Sequence, residues 1–565
     1  MRDSWLLGAV GSASLLAKIR LLGSSLDETA LLSGQNAIIL SPQQSPTCLR
    51  HQSESHRFAV SGTVMVENSG GGHELLDSSA AVKALPQLMA GVAPGQFAGA
   101  FITSDGISLK CDNNGLRSIY LRRVADGVVF STHLHLITEV TGSVSLNLEL
   151  FGSHWLCHNQ LERGIFVEGV ERLCGTDTMS LSMRDGRPEV RRASACPPPL
   201  SSEGPFDWLT RFFDGFGPEI WLSLSGGLDS RFLLSLLTQK AERGLETFVF
   251  GADTSPDVVL AKRVAQIVGV RCTHVRMDNP GQLSQDELTK YARDNWCTPP
   301  LHAAGHLTQY RGLAIPNGAV IVDGGFGEIA RRQFYRRIEI LRLRERLQSV
   351  PLAAYRRALA FPRVDAFRPA AITQMNAGID ASLRLFREWL LGVPGPAPED
   401  VLAATLRREN FFGLTQSWMD SHAPSIMPLA QEPFVSGLLK LRRSSRAGGS
   451  AYKRRIKRWD TRLADLRLAK GQYCIPFSLP SVLHPLYTRA VTPQSIEPPT
   501  FWNTPQVREL LFDTVRSAWV RESDLLDDQK AVRILDRFYN GHEASASAAS
   551  WLGSLLLWMK TNHVK

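Results

Sequence analysis

Residues 225–230 read S-G-G-L-D-S and lie between two apolar runs. The run before them, residues 220–224, has the length of a strand, and the run after them, residues 232–237, has helical periodicity. The glycines therefore lie on a strand-to-helix turn, where backbone N–H groups and the helix N-terminus favour a phosphate. Asp229 indicates Mg²⁺, the usual reason for a carboxylate beside phosphates. The alternative is a plain turn in which Ser and Asp only cap the helix.

The composition is that of an ordinary globular protein. The chain has 565 residues, which is enough for two or more domains. The net charge is +9, and part of it lies in basic runs that include residues 331–346 and 453–458. Few aromatic residues interleave with these runs, so we interpret them as solvated helix faces and expect no nucleic-acid partner.

Cysteine spacing and hydropathy indicate the compartment. None of the eight cysteines forms a C-x-x-C pair, which argues against a zinc ribbon or a disulfide scaffold and favours a reducing cytoplasm. No stretch reaches the roughly 20 apolar residues that span a bilayer. The first residues make a poor signal peptide because Asp3 lies among them. We predict a cytoplasmic protein with no membrane partner.

Three stretches of different pattern divide the chain. Residues 1–185 consist of short alternating runs broken by Gly, Asn and Asp, which is typical of β-strands and turns. Residues 186–206 contain consecutive prolines and a Ser-Ser-Glu-Gly-Pro segment, the composition of a linker. Residues 207–565 begin with the strand–helix alternation of a parallel α/β sheet and then become mostly helical.

Two further turns follow predicted strands in this α/β part. The strand 247–250 ends at Gly251, and Ser255-Pro256-Asp257 then starts a helix. The strand 319–322 leads into Asp323-Gly324-Gly325-Phe326-Gly327-Glu328, a second glycine-rich and acidic turn. Because ligands bind at the carboxyl ends of the strands in open α/β sheets, we expect both turns to lie beside the S-G-G-L-D-S turn.

Together these motifs resemble the asparagine synthetase family in its wider sense, which includes β-lactam synthetases and lasso-peptide cyclases. The S-G-G-L-D-S turn is similar to the pyrophosphate loop of ATP pyrophosphatases. Residues 468–477 are similar to the segment that carries the family's catalytic lysine, K-x-x-aromatic-x-x-P, and so point to Lys470. The other matching residues, which extend the resemblance over nearly the whole chain, are 99–102, 112–120, 164–173, Asp257, Ala261, Ala265, Gly269, His274, Asp323-Gly324-Gly325 and Pro433-Phe434-Val435.

The resemblance implies an α/β protein with two domains. The first, residues 1–185, would be an Ntn-hydrolase-like αββα domain of the class II glutamine amidotransferase kind. The second, residues 207–565, would be an ATP pyrophosphatase-type (adenine nucleotide α-hydrolase-like) parallel-sheet domain with a helical tail. Residues 186–206 would link them.

The implied activity is that of an ATP-dependent carbon–nitrogen ligase that adenylates a carboxylate and transfers an amine to it. The implied catalytic residues are Lys470, Asp229 and Glu328, and the implied Mg²⁺ ligands are Asp229 and Asp323. ATP and its pyrophosphate would bind Ser223, Ser225, Gly226, Gly227, Leu228, Asp229, Ser230, Val249, Phe250, Gly251, Gly324 and Gly325. The substrate would be a small-molecule or peptide carboxylate, and the amine would come from ammonia, from the substrate itself or from a separate amidotransferase.

Two departures from the family pattern bear on function. The family's glutaminase needs a cysteine directly after the initiator Met, but this chain has Arg2 there and no cysteine before Cys48. We therefore predict no glutaminase activity of its own. The family's metal-binding Asp after the two glycines is replaced by Phe326. Two alternatives stay open: a ring-closing synthetase of the β-lactam synthetase or lasso cyclase kind, and a scaffold that binds a nucleotide without catalysis.

Overall fold

The structure is a computed structural model. It describes residues 4–26, 29–34, 36–43, 45–68, 72–78, 80–194, 203–240, 244–276, 283–298, 301–305, 310, 312–331, 334–344, 350–361, 364–393, 397–491, 504–542 and 545–565. Within these ranges, no helix combines the length and the apolar character needed to cross a membrane.

The first part of the chain forms two antiparallel sheets. The six-stranded sheet has the order β11-β9-β10-β1-β3-β2, and the seven-stranded sheet has the order β13-β12-β8-β7-β5-β4 with β6 paired to β5. The strands are β1 (Leu7–Gly11), β2 (Thr29–Ser33), β3 (Ala37–Pro42), β4 (Cys48–Gln52), β5 (Arg57–Glu67), β6 (His73–Leu75), β7 (Gly95–Ile102), β8 (Gly106–Cys111), β9 (Ile119–Val124), β10 (Gly127–Ser131), β11 (Val170–Leu173), β12 (Asp177–Arg184) and β13 (Arg187–Ser194).

These two sheets pack face to face between helices, because successive side chains of a strand point to opposite faces. In β1, Val10 lies in the core between the sheets, whereas Leu7 and Ala9 lie in the core under the helices. In β5, Ala59 faces the other sheet, and Phe58 packs with Leu88 of a helix on the outer side. The resulting helix–sheet–sheet–helix arrangement confirms the predicted αββα fold class.

The prediction that the linker begins at residue 186 is wrong. Residues 187–194 form β13, which pairs antiparallel with the whole of β12 from Arg184↔Arg187 to Asp177↔Ser194. Strand β13 lies at the sheet edge and is mostly exposed, so its sequence carries charged residues and lacks a regular apolar alternation. Residues 195–202 of the predicted linker lie outside the described residues.

A five-stranded parallel sheet forms the centre of the second part. Its order is β16-β15-β14-β17-β18, all neighbours running parallel. The strand order reverses beside β14, because the chain goes from β14 out to β16 and then returns to the other side of β14 at β17. Such a switch point opens a crevice at the carboxyl ends of the strands. The strands are β14 (Ile220–Ser223), β15 (Leu245–Phe250), β16 (Arg271–Val275), β17 (Val320–Val322) and β18 (Ser425–Ile426).

Helices make up most of the remaining structure, and one short hairpin interrupts them. The hairpin consists of β19 (Leu468–Lys470) and β20 (Tyr473–Ile475). The helices are α1 (Ala13–Ser25), α2 (Leu85–Ala90), α3 (Leu134–Thr141), α4 (Leu148–Cys157), α5 (Pro205–Phe212), α6 (Leu228–Lys240), α7 (Pro256–Val268), α8 (Gln285–Asp294), α9 (Glu328–Arg331), α10 (Arg336–Arg344), α11 (Leu352–Leu359), α12 (Pro369–Gly392), α13 (Pro398–Leu402), α14 (Gly413–Met419), α15 (Glu432–Lys440), α16 (Arg443–Arg446), α17 (Ser450–Trp459), α18 (Thr461–Ala464), α19 (His484–Ala490), α20 (Pro505–Val515), α21 (Ala518–Arg521), α22 (Asp528–Tyr539) and α23 (Ala546–Thr561). A π-helical stretch, Ala403–Phe412, joins α13 to α14.

The last helix, α23, packs into the first part of the chain. Trp551 lies 5.9 Å from Phe151 of α4 between ring centroids, and Trp558 lies 5.4 Å from Phe166. Both tryptophans are fully buried. The two predicted domains therefore share one apolar core, and their division at residues 185 and 207 stays a prediction.

This shared core contains His154 of α4, and its burial makes stability depend on pH. Burial, together with the charge of His158, lowers the pKa of His154 from 6.5 to about 3. Below pH 6.5 the unfolded chain binds a proton at this ring that the folded chain excludes until about pH 3. We therefore expect the free energy of unfolding to fall as the pH drops, by about 2 kcal/mol from this ring at about pH 5.

Urea denaturation at neutral and acidic pH measures this effect. His154→Gln is expected to lose that part of the pH dependence, whereas the exposed His542 replaced by Gln is expected to keep it. An equal loss of stability in wild type and His154→Gln on acidification would contradict the assignment.

Candidate active site

The S-G-G-L-D-S turn joins β14 to α6, as predicted. Ser223 ends the strand and Leu228 begins the helix. The Ser230 hydroxyl accepts from the Ser225 N–H at 3.0 Å and lies 3.0 Å from the Ser225 hydroxyl, which itself accepts from the Gly227 N–H at 3.2 Å. The two serine hydroxyls thus fix the shape of the turn, and Leu228 anchors it in the core.

A third backbone donor of this turn is also engaged, by a residue outside the turn. The Gly226 N–H, which we expected to face a phosphate, donates to Asp257 Oδ1 at 3.0 Å. Asp257 lies in the first turn of α7, after Ser255 and Pro256. Burial raises the pKa of Asp257, and the hydrogen bond from Gly226 lowers it. A phosphate that bound this N–H would therefore have to displace the Asp257 carboxylate.

Three further residues that the resemblance implies for ATP binding, Val249, Phe250 and Gly251, lie at the same edge of the sheet. Val249 is buried, so only its backbone can meet a ligand. Phe250 is half-buried, with its ring centroid 5.0 Å from that of Tyr310. Gly251 has a φ of +133°, which strongly favours glycine, and its carbonyl lies 2.8 Å from His274 Nε2.

The acidic turn after β17 packs directly on the S-G-G-L-D-S turn. A Cβ added to Gly324 would lie 3.2 Å from the Ser230 nitrogen, so the two turns are in contact. Asp323 Oδ1 accepts from the Gly325 N–H at 2.7 Å. Burial raises the pKa of Asp323, and hydrogen bonds from Gly325 and Ser223 lower it. The structure therefore brings the two turns together, as the sequence analysis predicted.

The side chain of Phe326 packs in the apolar core and not in the site. Its φ is +65°, and its side chain is fully buried. Its ring centroid lies 5.4 Å from that of Phe334 and 5.3 Å from that of Phe412. Phe326 is thus an anchor in the apolar core, and a left-handed backbone at a bulky residue indicates strain.

Asp229 forms an ion pair with Arg331. The prediction that Arg331 lies on a solvated helix face is therefore wrong. Arg331 Nη2 lies 2.6 Å from Asp229 Oδ2 and 3.6 Å from Glu328 Oε1. Burial raises the pKa of Asp229 to about 7, with Glu328 and Asp323 acting in the same direction and Arg331 opposing them. Arg331 therefore offsets part of the mutual repulsion of three nearby carboxylates.

The carboxylates fit a divalent cation shared with a nucleotide. Asp229 Oδ1 and Glu328 Oε2 are buried without a hydrogen-bond partner in the described part of the chain. Mg²⁺ is usually held by one or two carboxylates together with substrate phosphates. Among the described residues there is no group of three or more His, Cys, Asp or Glu that could hold a metal by itself. The site thus fits Mg²⁺ only as a partner of bound phosphates.

The hairpin β19–β20 carries Lys470 to the turn from a distant part of the sequence. The Ala469 N–H donates to the Gly226 carbonyl at 2.8 Å, so the hairpin lies directly on the S-G-G-L-D-S turn. Lys470 Nζ lies 3.0 Å from His484 Nδ1. Partial burial and the charges of Arg331 and Arg336 lower the pKa of Lys470. The ammonium therefore lies in a strongly positive environment that favours an anion.

Arg231 fastens the hairpin segment to the turn. Its guanidinium is fully buried and donates to four backbone carbonyls: Gly226 at 3.2 Å, Leu463 at 3.1 Å, Leu466 at 3.0 Å and Arg467 at 2.6 Å. Burial lowers its pKa to about 10. Arg231 thus connects the S-G-G-L-D-S turn with the segment of chain that leads to Lys470.

Gly327 is needed for the close approach of the two turns. A Cβ at this position would lie 2.4 Å from Asp229 Cγ. We therefore expect Gly327→Ala to displace the Asp229 carboxylate and to weaken binding of Mg-ATP, measured by calorimetry, with little change in the melting temperature. Gly392→Ala, whose Cβ would meet nothing within 4 Å, is the control and should bind as wild type. Unchanged binding by Gly327→Ala would contradict this contact.

The first part of the chain has a closed polar network around Ser4 and Arg117. Ser4, just before β1, donates to the Thr47 carbonyl at 2.8 Å and accepts from Arg117 at 3.1 Å. Arg117 forms a buried 3.1 Å ion pair with Asp420. Cys48 lies within a strand pair, opposite Ser61, and burial raises the pKa of its thiol to about 11. A thiol in this state is a poor nucleophile.

Several residues of the site were missed by the sequence analysis. Arg231 carried a usable signal, because an arginine in the apolar run after the turn needs buried partners. Arg331 and His484 carried none, because their partners are distant in sequence.

Comparisons with known proteins identify one region of the chain. No curated protein matches the sequence significantly. The chain is similar to the solved structure of glutamine phosphoribosylpyrophosphate amidotransferase from B. subtilis complexed with ADP and GMP, at 14% identity over 60% of this chain and 79% of that chain, with a TM-score of 0.21. It is also similar to the solved structure of the allosteric regulatory enzyme of purine biosynthesis, at 14% identity over 67% and 86%, with a TM-score of 0.20.

At TM-scores this low, neither likeness supports a statement about this chain. The match of a family model is more specific and covers one part of the candidate site. It begins before β14 and includes the S-G-G-L-D-S turn, Asp257 and His274. Residues 219–304 of the chain match the family described as asparagine synthase.

Proposed function

We propose that the protein is an ATP-dependent ligase that forms an amide from a carboxylate, with release of AMP and pyrophosphate. The observation that carries this proposal is the contact between Ala469 and Gly226, which places Lys470 beside the S-G-G-L-D-S turn. The match of residues 219–304 to asparagine synthase supports the same chemistry. If the turn only capped a helix, we would not expect a lysine from a separate hairpin to lie beside it.

The reaction has two steps. In the first, an oxygen of the substrate carboxylate attacks the α-phosphorus of ATP, and the bond from that phosphorus to the bridging oxygen of pyrophosphate breaks. In the second, an amine nitrogen attacks the acyl carbon, the bond to the AMP oxygen breaks and the amine loses a proton. Such phosphoryl chemistry depends mainly on positioning and charge neutralisation, which fixed cationic groups supply.

The residues of the site have distinct roles in this scheme. Ser225, Gly227 and Ser230 would hold the pyrophosphate. Asp229, with Asp323 or Glu328 beside it, would hold Mg²⁺, which when bound neutralises phosphate charge. Lys470 would stabilise negative charge at the α-phosphate or on the tetrahedral intermediate.

The nitrogen would not come from glutamine hydrolysed in this chain. The glutaminase-like part has a buried polar network around Ser4 and Arg117, and its first cysteine has a raised pKa. We infer that the amine is free ammonia, an amine in the substrate or the product of a separate amidotransferase. A substrate that carried its own amine would give ring closure, the alternative within the same reaction class.

The scaffold alternative has specific support in the structure. Phe326 replaces a metal ligand by a core side chain, and Arg331 already neutralises Asp229. A protein that bound the nucleotide without catalysis could retain both features. Pyrophosphate release distinguishes this alternative from the ligase.

Pyrophosphate release from Mg-ATP is the test. The purified protein is assayed with aspartate, uronic acids, short peptides and fatty acids, first with ammonia and then with glutamine. We expect release that depends on a carboxylate, proceeds with ammonia, fails with glutamine alone and is strongly reduced in Asp229→Asn. Activity with glutamine would contradict the missing glutaminase, and the absence of release with every carboxylate would favour the scaffold. Location in the cytoplasm stays a prediction.

A further inference from the structure

A cleft of about 550 Å³ lies next to the acidic turn. Its charged wall consists of Arg336, Arg337 and Arg407, and its apolar wall includes Ile338, Leu359 and Phe361. We call it the arginine cleft. Its volume is in the range of small-molecule binding sites.

The arginine cleft adjoins the acidic turn through Phe334. Phe334, which lines the cleft, stacks on Phe326 of the acidic turn at 5.4 Å. Arg336 lies close enough to Lys470 for its charge to lower the pKa of that lysine, and it lowers the pKa of His484 as well. Arg336 thus belongs both to the wall of the cleft and to the positive surroundings of Lys470.

The arginines of the cleft have no carboxylate partner in the described part of the chain. Arg407 stacks on Phe411, with its guanidinium carbon 4.5 Å from the ring centroid. Arg336 and Arg337 are exposed, and the structure shows neither an ion pair nor a hydrogen bond from their side chains to any described residue. Guanidinium groups bind carboxylates in a bidentate geometry, so this wall is complementary to a carboxylate.

The rest of the cleft wall is apolar apart from Cys157, Asn159 and the hydroxyl of Tyr335. Ile340, which also lines the cleft, is 40% exposed and Phe361 is 57% exposed, so both offer apolar surface to a ligand. The Tyr335 hydroxyl is buried without a hydrogen-bond partner, within the electrostatic influence of Arg407 and Cys157 of the same cleft. Tyr335 also has a φ of +50°, and strain of this kind is frequent at ligand sites.

We propose that the arginine cleft binds the acceptor substrate, and that this substrate is a carboxylate with an apolar body, such as a fatty acid. The inference rests on the proposed ligase function, because it assigns the carboxylate that is to be adenylated. The apolar body would lie against Ile340 and Phe361, and Arg336 would guide the carboxylate toward Lys470. Among the described residues, the walls offer no acidic side chain for the amino group of an amino acid such as aspartate.

Calorimetric titration of the full chain without nucleotide tests this inference. The probes are octanoate, its neutral counterpart octanamide, and aspartate. We expect octanoate to bind, octanamide to bind at least about tenfold more weakly than octanoate, and aspartate to show no binding. Arg336→Met and Arg407→Met should each weaken octanoate about tenfold. Arg336 is exposed, so its replacement does not endanger folding, and Arg458→Met on α17 is the control that should bind as wild type.

Equal binding of octanoate and octanamide, no binding of octanoate, or unchanged affinity in both arginine variants would overturn the inference. A parallel titration with Mg-ATP separates it from the proposed function. If Mg-ATP binds and supports pyrophosphate release while octanoate does not bind, only the arginine cleft is wrongly assigned. If octanoate binds but Mg-ATP does not, the cleft stands and the ligase proposal fails.

Discussion

Replacing Lys470 by Ala is expected to lower the rate of pyrophosphate release by a factor on the order of 10²–10³, the usual effect of removing one fixed charge from a transition state. The ammonium lies on a hairpin that is hydrogen-bonded to the S-G-G-L-D-S turn, so it is held in place before substrate binds. The melting temperature should hardly change, because the Lys470 side chain is largely exposed. Steady-state assays with saturating Mg-ATP and the best carboxylate measure the effect.

Two further variants show whether charge or shape is lost at this position. Lys470→Arg keeps a cation and should retain more activity than the alanine variant. Lys457→Ala removes an exposed lysine from α17 and should act as wild type. Full activity of Lys470→Ala would remove the main support for catalysis at this site.

Replacing Arg231 by Met is expected to destabilise the protein by about 3 kcal/mol or more, because four buried carbonyl groups would lose a charged donor. The same change should impair the site, since Arg231 joins the Gly226 carbonyl to the segment before Lys470. Urea denaturation gives the free energy of unfolding. Binding of Mg-ATP, measured at a temperature where the variant is fully folded, shows the second effect.

The exposed Arg458 provides the matched control for this experiment. Arg458→Met should change the free energy of unfolding by about 0.5 kcal/mol at most, the usual range for surface substitutions. Arg231→Lys should be intermediate, because an ammonium has three donors and cannot serve four carbonyls at once. If Arg231→Met were as stable as Arg458→Met, the assigned hydrogen bonds would be wrong.

The parts of the fold that the sequence predicted well are those determined by local pattern. Residues 220–237 combine an apolar strand, two glycines and a helical repeat, and the structure forms β14, the turn and α6 there. Helix α7 likewise has Pro256 in its first turn and Gly269 in a left-handed conformation after its end. Local sterics and hydrogen bonding decide such elements before any tertiary contact forms.

Elements and residues whose state depends on distant partners were predicted poorly. Strand β13 has few apolar residues and exists because β12 offers a full ladder of hydrogen bonds. In the sequence, Arg331 is one residue of a basic run. Only the fold shows that it pairs with Asp229, about a hundred positions earlier in the chain. The roles assigned to Lys470, Asp229 and Glu328 rest on resemblance and geometry together, and they stay predictions until the assays are done.

The packing of α23 against α4 has a practical consequence for dissecting the molecule. A fragment that began after β13 would carry Trp551 and Trp558 without the phenylalanines that cover them, and a fragment that ended there would leave Phe151 and Phe166 open to water. Each half would expose large aromatic surfaces and tend to aggregate. Co-expression of the two halves, rather than study of either one alone, is the suitable way to divide the molecule.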